Sequence, residues 1–507
     1  MGRLGSVLTH ILFRLVMLFH RIRFFFHNSH NLHHARFATL PELTSLLTTE
    51  LTGTNLLLGI SSFNQLLRVQ PTSQRRELGN LLVVAPTRGG KGLLATAQLL
   101  TWPHSVVVND IKGELFQQTA GYRSTIGKVF VIDPTGIGNR YDPLLGHTTE
   151  DALLSAATQL LYKADEGDGA IFTQRATVML TQLFLAARAE NVSPLPYVRH
   201  IIRSGLPAAT ARLNTINPAF ATQLLDVSYA DANFSDRFLL SSWGTLTARL
   251  RPLLTETVIR TLSGADFRPH DVLSGNKPMT VYLRWPEQDL LVLSPLVRLV
   301  WGSLIDELLT TYDAVQGKAC QPVLLLVDEA GRTAIPSLAD HATTVVGRRI
   351  SLWIAIQSLA QLDAVYGKTR ATVLRDNMES ALFYRQSNNE SADYLAHCLG
   401  RKSEYAHSQT KREGTEVSQG LSEQGIPLMT AQEIKQMADE DVIGFHRQLP
   451  PFLETRMDWR RFPILMERQA ISPPELSVLP EIAESLPMVT PQSNGQLNGF
   501  INPDMTG

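Results

Sequence analysis

The chain has 507 residues, 44% of them hydrophobic and 18% charged, so it is a globular protein able to bury more than one core and not a disordered chain. Its formal net charge of −1 excludes a chain-wide polyanion-binding surface and restricts any nucleic-acid contact to local patches. Its two cysteines, Cys320 and Cys398, lack metal-ligand spacing and read as apolar filler in a reducing compartment.

In chain order, residues 4–26 come first: strongly apolar, but interrupted by Arg14, Arg21 and Arg23. The longest charge-free run, residues 4–13, is too short to cross a bilayer, and no small-residue cleavage site follows it. The expected element is a helix lying on a membrane surface with its basic side chains snorkelling, or a helix docked on the protein itself. Residues 1–32 are therefore set apart. His27, His30, His33 and His34 read as a polar linker.

The next strong signal is Leu81-Leu82-Val83-Val84, a short apolar strand opening into Ala85-Pro86-Thr87-Arg88-Gly89-Gly90-Lys91-Gly92 and a helix from Leu93. Strand, glycine-rich turn and helix are what a phosphate-binding loop needs. Backbone N–H groups at the helix start point at the phosphates, and Lys91 reaches the terminal ones. Residues 85–93 are the expected phosphate cradle. Ala85 replaces the usual first glycine and Gly92 the usual Ser or Thr, so a metal shell must be completed by water or another group, with Thr96 one turn on as a candidate. Ser105-Val106-Val107-Val108-Asn109-Asp110 and Lys128-Val129-Phe130-Val131-Ile132-Asp133 read as further strands. They put Asp110, Lys112 and Asp133 on the edge where α/β sheets keep ligands.

Residues 148–272 change character, with apolar residues at helical spacing over 151–162, 172–189, 195–204 and 238–262. Strand character returns at 279–284, and a long helix is expected over 291–312. Then Val323-Leu324-Leu325-Leu326-Val327 ends in Asp328-Glu329, as a buried parallel strand delivering acids to its C-terminal edge would. With Lys91 upstream, the chemistry is nucleotide hydrolysis: Asp328 for the metal ion and Glu329 to orient or deprotonate water. Ile350–Ile356 reads as the next buried strand, ending at Gln357, a residue placed to sense the terminal phosphate; Arg348 before it is a candidate arginine finger toward a neighbouring subunit. Residues 401–425 read as an exposed loop, Thr430 as a helix cap, 441–445 as a closing strand, and the Pro-, Ser- and Asn-rich 473–507 as a loose tail. The expected fold class is α/β, a P-loop nucleotide-binding domain in two segments, 33–147 and 273–472, with an all-α domain inserted over 148–272.

These residues, in this order, closely resemble the coupling-protein ATPases of type IV secretion and conjugative DNA transfer. The likeness runs from Ala35-Arg36-Phe37-Ala38-Thr39 through the phosphate loop, which in that family commonly has glycine after the lysine. It continues through Thr101-Trp102-Pro103-His104-Ser105, Asp110-Ile111-Lys112-Gly113-Glu114, Ala120-Gly121-Tyr122-Arg123 and Gln357-Ser358-Leu359-Ala360-Gln361-Leu362. It ends with Val365-Tyr366-Gly367, Asn377 and Pro427-Leu428-Met429-Thr430. Two features depart from it: clear transmembrane helices usually precede the opening motif, and an aromatic and a proline usually follow the paired acids, where this chain has Ala330-Gly331-Arg332.

The resemblance implies a RecA-like domain and a homohexameric ring that hydrolyses ATP with Mg2+. Such a ring moves relaxase-bound single-stranded DNA, or effector proteins, to a secretion channel at the cytoplasmic face of the membrane. DNA contact is expected to be phosphate-directed and independent of sequence. The competing expectations are a chromosome-type DNA pump or helicase, and a scaffold that binds nucleotide without hydrolysing it.

Overall fold

The computed structural model describes residues 33–162, 169–335, 337–412 and 416–481, with the backbone alone over 406–412 and 416–422. The expected helix at 4–26 and the tail from residue 482 lie outside these residues.

Three N-terminal strands, β1 (Leu47–Thr48), β2 (Leu56–Ile60) and β3 (Leu66–Val69), precede the glycine-rich turn. That turn is fed by β4 (Leu81–Val84), followed by β5 (Ser105–Asp110), β6 (Lys128–Asp133) and β7 (Ile137–Gly138). After a long helical stretch come β8 (Met279–Arg284), β9 (Val323–Val327), β10 (Ile350–Ile356) and β11 (Ser380–Phe383). The last strands are β12 (Arg401–Arg412), β13 (Glu416–Pro427), β14 (Asp441–His446) and β15 (Phe452–Thr455).

All but β12 and β13 join one sheet of order β1-β3-β2-β15-β14-β11-β4-β10-β9-β5-β8-β6-β7. The run from β11 to β6 is parallel; β14, β15 and the N-terminal strands extend one edge antiparallel, and β7 the other. Its parallel strands are Val-, Leu- and Ile-rich because both faces are covered. Side chains alternate between the faces. Leu82, Val84, Val107, Leu325, Ile354 and Ile356 pack into one core, and Leu81, Val83, Val106, Leu324, Leu326 and Trp353 into the other. The first core continues into the helices between β7 and β8 and into the helix Leu290–Ala314; the second is roofed by the helices Lys91–Thr101 and Glu114–Ile126.

The helical stretch matches the periodicity at Glu150–Leu161, Ala170–Ala189 and Pro194–Ser204. The expected helix over 238–262 is instead two, Arg237–Leu250 and Glu256–Thr261. Pro252 cannot continue the hydrogen-bond ladder, and Thr255 restarts it by accepting from Val258 N. Residues 401–425 are not a loop. β12 and β13 form a long antiparallel ribbon whose backbone pairs from Arg401↔Pro427 to Arg412↔Glu416. A ribbon that satisfies its backbone internally needs no apolar face to be regular, so the hydrophobic pattern carried no trace of it. Thr430 caps its helix in a reciprocal capping box with Glu433. The start of the expected tail is also ordered: Ser477 O accepts from Gly138 N, and Leu479 N donates to Gly136 O.

Several of the motif residues prove to be structural. Arg36 forks onto Glu42, its two bonds 2.7 and 2.6 Å, and Ala38 N donates to Pro451 O, tying the opening motif to the C-terminal half. Trp102 Nε1 donates to Ser105 O at 2.9 Å, closing the turn before β5. Arg123 is fully buried and donates to Trp102 O, His104 O and Thr280 Oγ1, strapping its helix to the turn before β5 and to β8. Beside it, Gly121 is required because a Cβ would run into the Ile471 carbonyl.

Candidate active site

β4 ends at Val84, and the chain turns through Ala85, Pro86, Thr87 and Arg88 into Gly89 and Gly90. Arg88 (φ 62°) and Gly90 (φ 108°) are left-handed, which swings the chain back over the strand end so that the helix Lys91–Thr101 starts there. Gly89 N closes onto Pro86 O at 2.9 Å. The N–H groups of the helix's first turn, around Lys91, Gly92 and Leu93, therefore open over the C-terminal edge of the sheet. Lys91 folds back over the loop, its Nζ 3.3 Å from Ala85 O, and is 8% exposed. Burial pushes its pKa down, with Asp328 and Glu329 opposing that shift and Lys112 adding to it.

β9 delivers the paired carboxylates. Because β10 lies between β4 and β9, Lys91 and the acids reach the same edge from either side of the strand that leads into Gln357. Glu329 sits at φ 57°, a left-handed turn directly after the strand. Asn109, at the end of β5, brackets this turn: its Nδ2 donates to Asp328 O at 3.0 Å and Thr333 Oγ1 at 3.1 Å, and Trp301 Nε1 donates to its Oδ1. Asp328 Oδ1 is buried without a hydrogen-bond partner. Burial pushes its carboxyl up to about 7; Lys91 works against this, and Glu329 and Asp110 reinforce it. Glu329 Oε1 lies 3.8 Å from Lys112 Nζ, and Oε2 lies 3.7 Å from Arg332, both beyond hydrogen-bond range. Glu329 is thus held between two cations and still has oxygens free to accept a proton. At the end of β10, Gln357 Oε1 accepts from Thr87 Oγ1 at 3.2 Å, joining the strand directly to the phosphate loop.

The structure thus brings together Lys91, the loop from Ala85 to Leu93, Asp328, Glu329 and Gln357. It does not bring Arg348 there. Arg348 precedes β10, at the opposite end of the sheet, and forks onto Asp313 with two bonds of 2.8 Å. Thr96 is fully buried and its hydroxyl donates to Gln118, so it is not a metal ligand. Asp110 accepts from Phe116 N and Leu115 N, capping the helix Glu114–Ile126, and Asp133 lies 3.5 Å from Arg284. Sequence reasoning missed Asn109 and Arg456. The Arg456 guanidinium donates to Gly89 O at 2.8 Å from more than 360 residues away. No local pattern marks either one.

The residues present fit a magnesium ion. An orphaned buried carboxylate oxygen beside phosphate-facing amides is the donor that such an ion takes when it keeps most of its waters and binds substrate phosphates. Among the described residues there is no group of three or more His, Cys, Asp or Glu placed to hold a metal ion.

Two of the loop's three glycines, Gly90 and Gly92, differ in kind. A Cβ on Gly90 would stand 2.8 Å from Arg456 Nη1 at a φ that side chains rarely adopt, whereas a Cβ on Gly92 meets nothing within 4 Å. Gly90→Ala is expected to destabilise the protein by about 1–3 kcal/mol, and Gly92→Ala to stabilise it by about 0.5–1 kcal/mol. Urea unfolding of the two variants checks both signs.

Residues 64–474 match the family model described as "Type IV secretory system Conjugative DNA transfer". Protein VirD4 of Rhizobium radiobacter is 25% identical over 458 residues, covering 83% of this chain and 62% of that protein. The conjugal transfer protein TraG of Escherichia coli is 24% identical over 451 residues, covering 78% of this chain and 70% of that one. The chain spans about three fifths of the length of the VirD4 relatives it matches. Among solved structures, the unbound bacterial conjugative coupling protein TrwBdeltaN70 superposes with a TM-score of 0.61 at 16% identity, over 83% of this chain and 92% of that one. Plasmid coupling protein TrwB in complex with ADP and Mg2+ gives 0.57 at 17%, over 80% and 96%. The shared architecture is the RecA-like α/β fold.

Proposed function

The chain belongs to the type IV secretory system conjugative DNA transfer family, and from that membership we propose that it is an ATP-driven coupling protein. In this reading it recruits relaxase-bound single-stranded DNA, or effector proteins, and drives them toward a type IV secretion channel. The observation that carries the reading is the meeting of Lys91, the open helix amides and Asp328-Glu329 at one sheet edge, with Gln357 between them.

Lys91 and the amides of residues 89–93 hold the phosphates of ATP, and Asp328 holds Mg2+. That ion, when bound, neutralises charge on the phosphoryl oxygens. Glu329, lying between Lys112 and Arg332, accepts the proton of the attacking water. Gln357, bonded to Thr87, passes the state of the loop to the neighbouring strand. Residues 33–147 and 273–472 act as one nucleotide-binding domain, and residues 148–272 as an all-α domain that meets substrate. In this reading the protein works at the cytoplasmic face of the membrane. No helix among the described residues is long and apolar enough to cross a membrane. Assembly is a homohexamer, with charge at the transferring phosphoryl group completed by an arginine from the next subunit. Arg348 serves there only by leaving Asp313, an exposed pair and therefore a weak one.

The test is ATP hydrolysis by the purified protein across a concentration series, with and without single- and double-stranded DNA. A DNA-stimulated rate that rises cooperatively with protein concentration is expected. Nucleotide binding without turnover in every condition would replace this reading with the scaffold, and unaided strand separation with a helicase.

A further inference from the structure

The helix Pro194–Ser204 and the end of the helix Arg237–Leu250 enclose a cavity of about 420 Å³ lined by Arg199, Ile202, Arg203, Arg251 and Leu254. Arg199 and Arg203 are one turn apart and so lie on one face. Arg251 is the C-terminal cap of the second helix. Three guanidiniums thus share a cleft whose remaining walls are two aliphatic side chains.

Among the described residues these arginines form no ion pair, and Arg199 Nε is buried with no hydrogen-bond partner. The carboxylate near them is Glu256, which is already bonded to Arg260. Burial and then Arg203 weaken the hold of Arg199 on its charge, and Glu256, already bonded to Arg260, offsets them only in part. In a core this would be an unrelieved cost; at a cleft mouth an anion from solution can relieve it.

Each guanidinium presents five N–H donors in a planar fork that matches phosphate oxygens. A lone peptide carboxylate engages one such fork, and three suit a ligand that carries anionic groups in series. The cavity is too small for a duplex, and its aliphatic walls suit a sugar. We propose that this cleft takes the phosphate backbone of a single DNA strand, giving the helical insert a sequence-independent grip remote from the nucleotide loop. The proposal rests on the DNA-transfer reading above.

The test uses the full chain with Arg203→Ala/Arg251→Ala, both exposed positions, and Lys277→Gln/Lys318→Gln as a control that removes equal charge elsewhere. Binding of fluorescent oligo-dT is followed by anisotropy across a salt series, beside a poly-glutamate peptide, with thermal melting to confirm folding. The arginine variant is expected to bind oligo-dT about tenfold or more weakly than the control. Its salt dependence should be shallower by about 1.4, at about 0.7 per lost phosphate contact, and Arg203→Lys/Arg251→Lys should recover part of the loss. Oligo-dT binding equal to the control overturns the site alone. Loss of poly-glutamate binding with oligo-dT binding kept overturns it in favour of an acidic protein ligand. Wild-type protein that binds no oligo-dT removes the DNA-transfer reading itself, and the site with it.

Discussion

Glu329→Gln is expected to lower ATP turnover about 10²- to 10⁴-fold, the usual range for loss of a general base, while nucleotide binding is retained. The amide occupies the same volume and keeps the same left-handed turn after β9, so the bracket that Asn109 makes with Asp328 O and Thr333 is undisturbed. What disappears is the carboxylate that faces both Lys112 and Arg332 from the end of β9, and with it the oxygen able to take the water's proton. Single-turnover phosphate release, set beside calorimetric binding of a non-hydrolysable ATP analogue, separates the two steps. Turnover near the wild-type rate would move the base to another residue. Loss of both turnover and binding would make Glu329 a structural part of the pocket.

Lys91→Ala is expected to remove binding and turnover together. Its ammonium makes charge-assisted hydrogen bonds to phosphate, each worth about 1.5–3 kcal/mol. Losing two of them weakens affinity by about 10²- to 10⁴-fold. The same ammonium is the buried cation that favours ionised Asp328. Its removal leaves Asp328 facing Glu329 and Asp110 without that counter-charge, and burial then pushes Asp328 further toward its protonated form, which does not hold a metal ion. The nucleotide-dependent rise in melting temperature measured with Mg2+ should vanish in this variant. A preserved rise would show that the loop amides alone hold the phosphates.

Much of the site was legible because its parts are local. A run such as Leu81–Val84 or Val323–Val327 declares a buried parallel strand by being apolar on both faces. Gly89, Gly90 and Lys91 declare a turn by needing backbone freedom beside one reaching cation. The acids Asp328 and Glu329 stand out because charge ends an otherwise apolar run. Helices such as Pro194–Ser204 were readable for the same reason: one face of each is buried, and burial at period 3.6 leaves its mark on the chain itself.

Other features depend on partners far away, and no window of sequence contains them. The sequence by itself determined the strand–turn–helix around Lys91, the acid-tipped β9 and the helical character of residues 148–272. Only the tertiary structure decided that β10 separates β4 from β9, so that Gln357 meets Thr87. It also decided that Asn109 and Arg456 hold the two turns, and that Arg348 belongs to Asp313. The long ribbon of β12 and β13 was hidden because backbone pairing, unlike burial, leaves no hydrophobic period. Local periodicity records which face is buried; which polar groups pair is settled when packing brings them together, since each buried donor must find an acceptor there or go without.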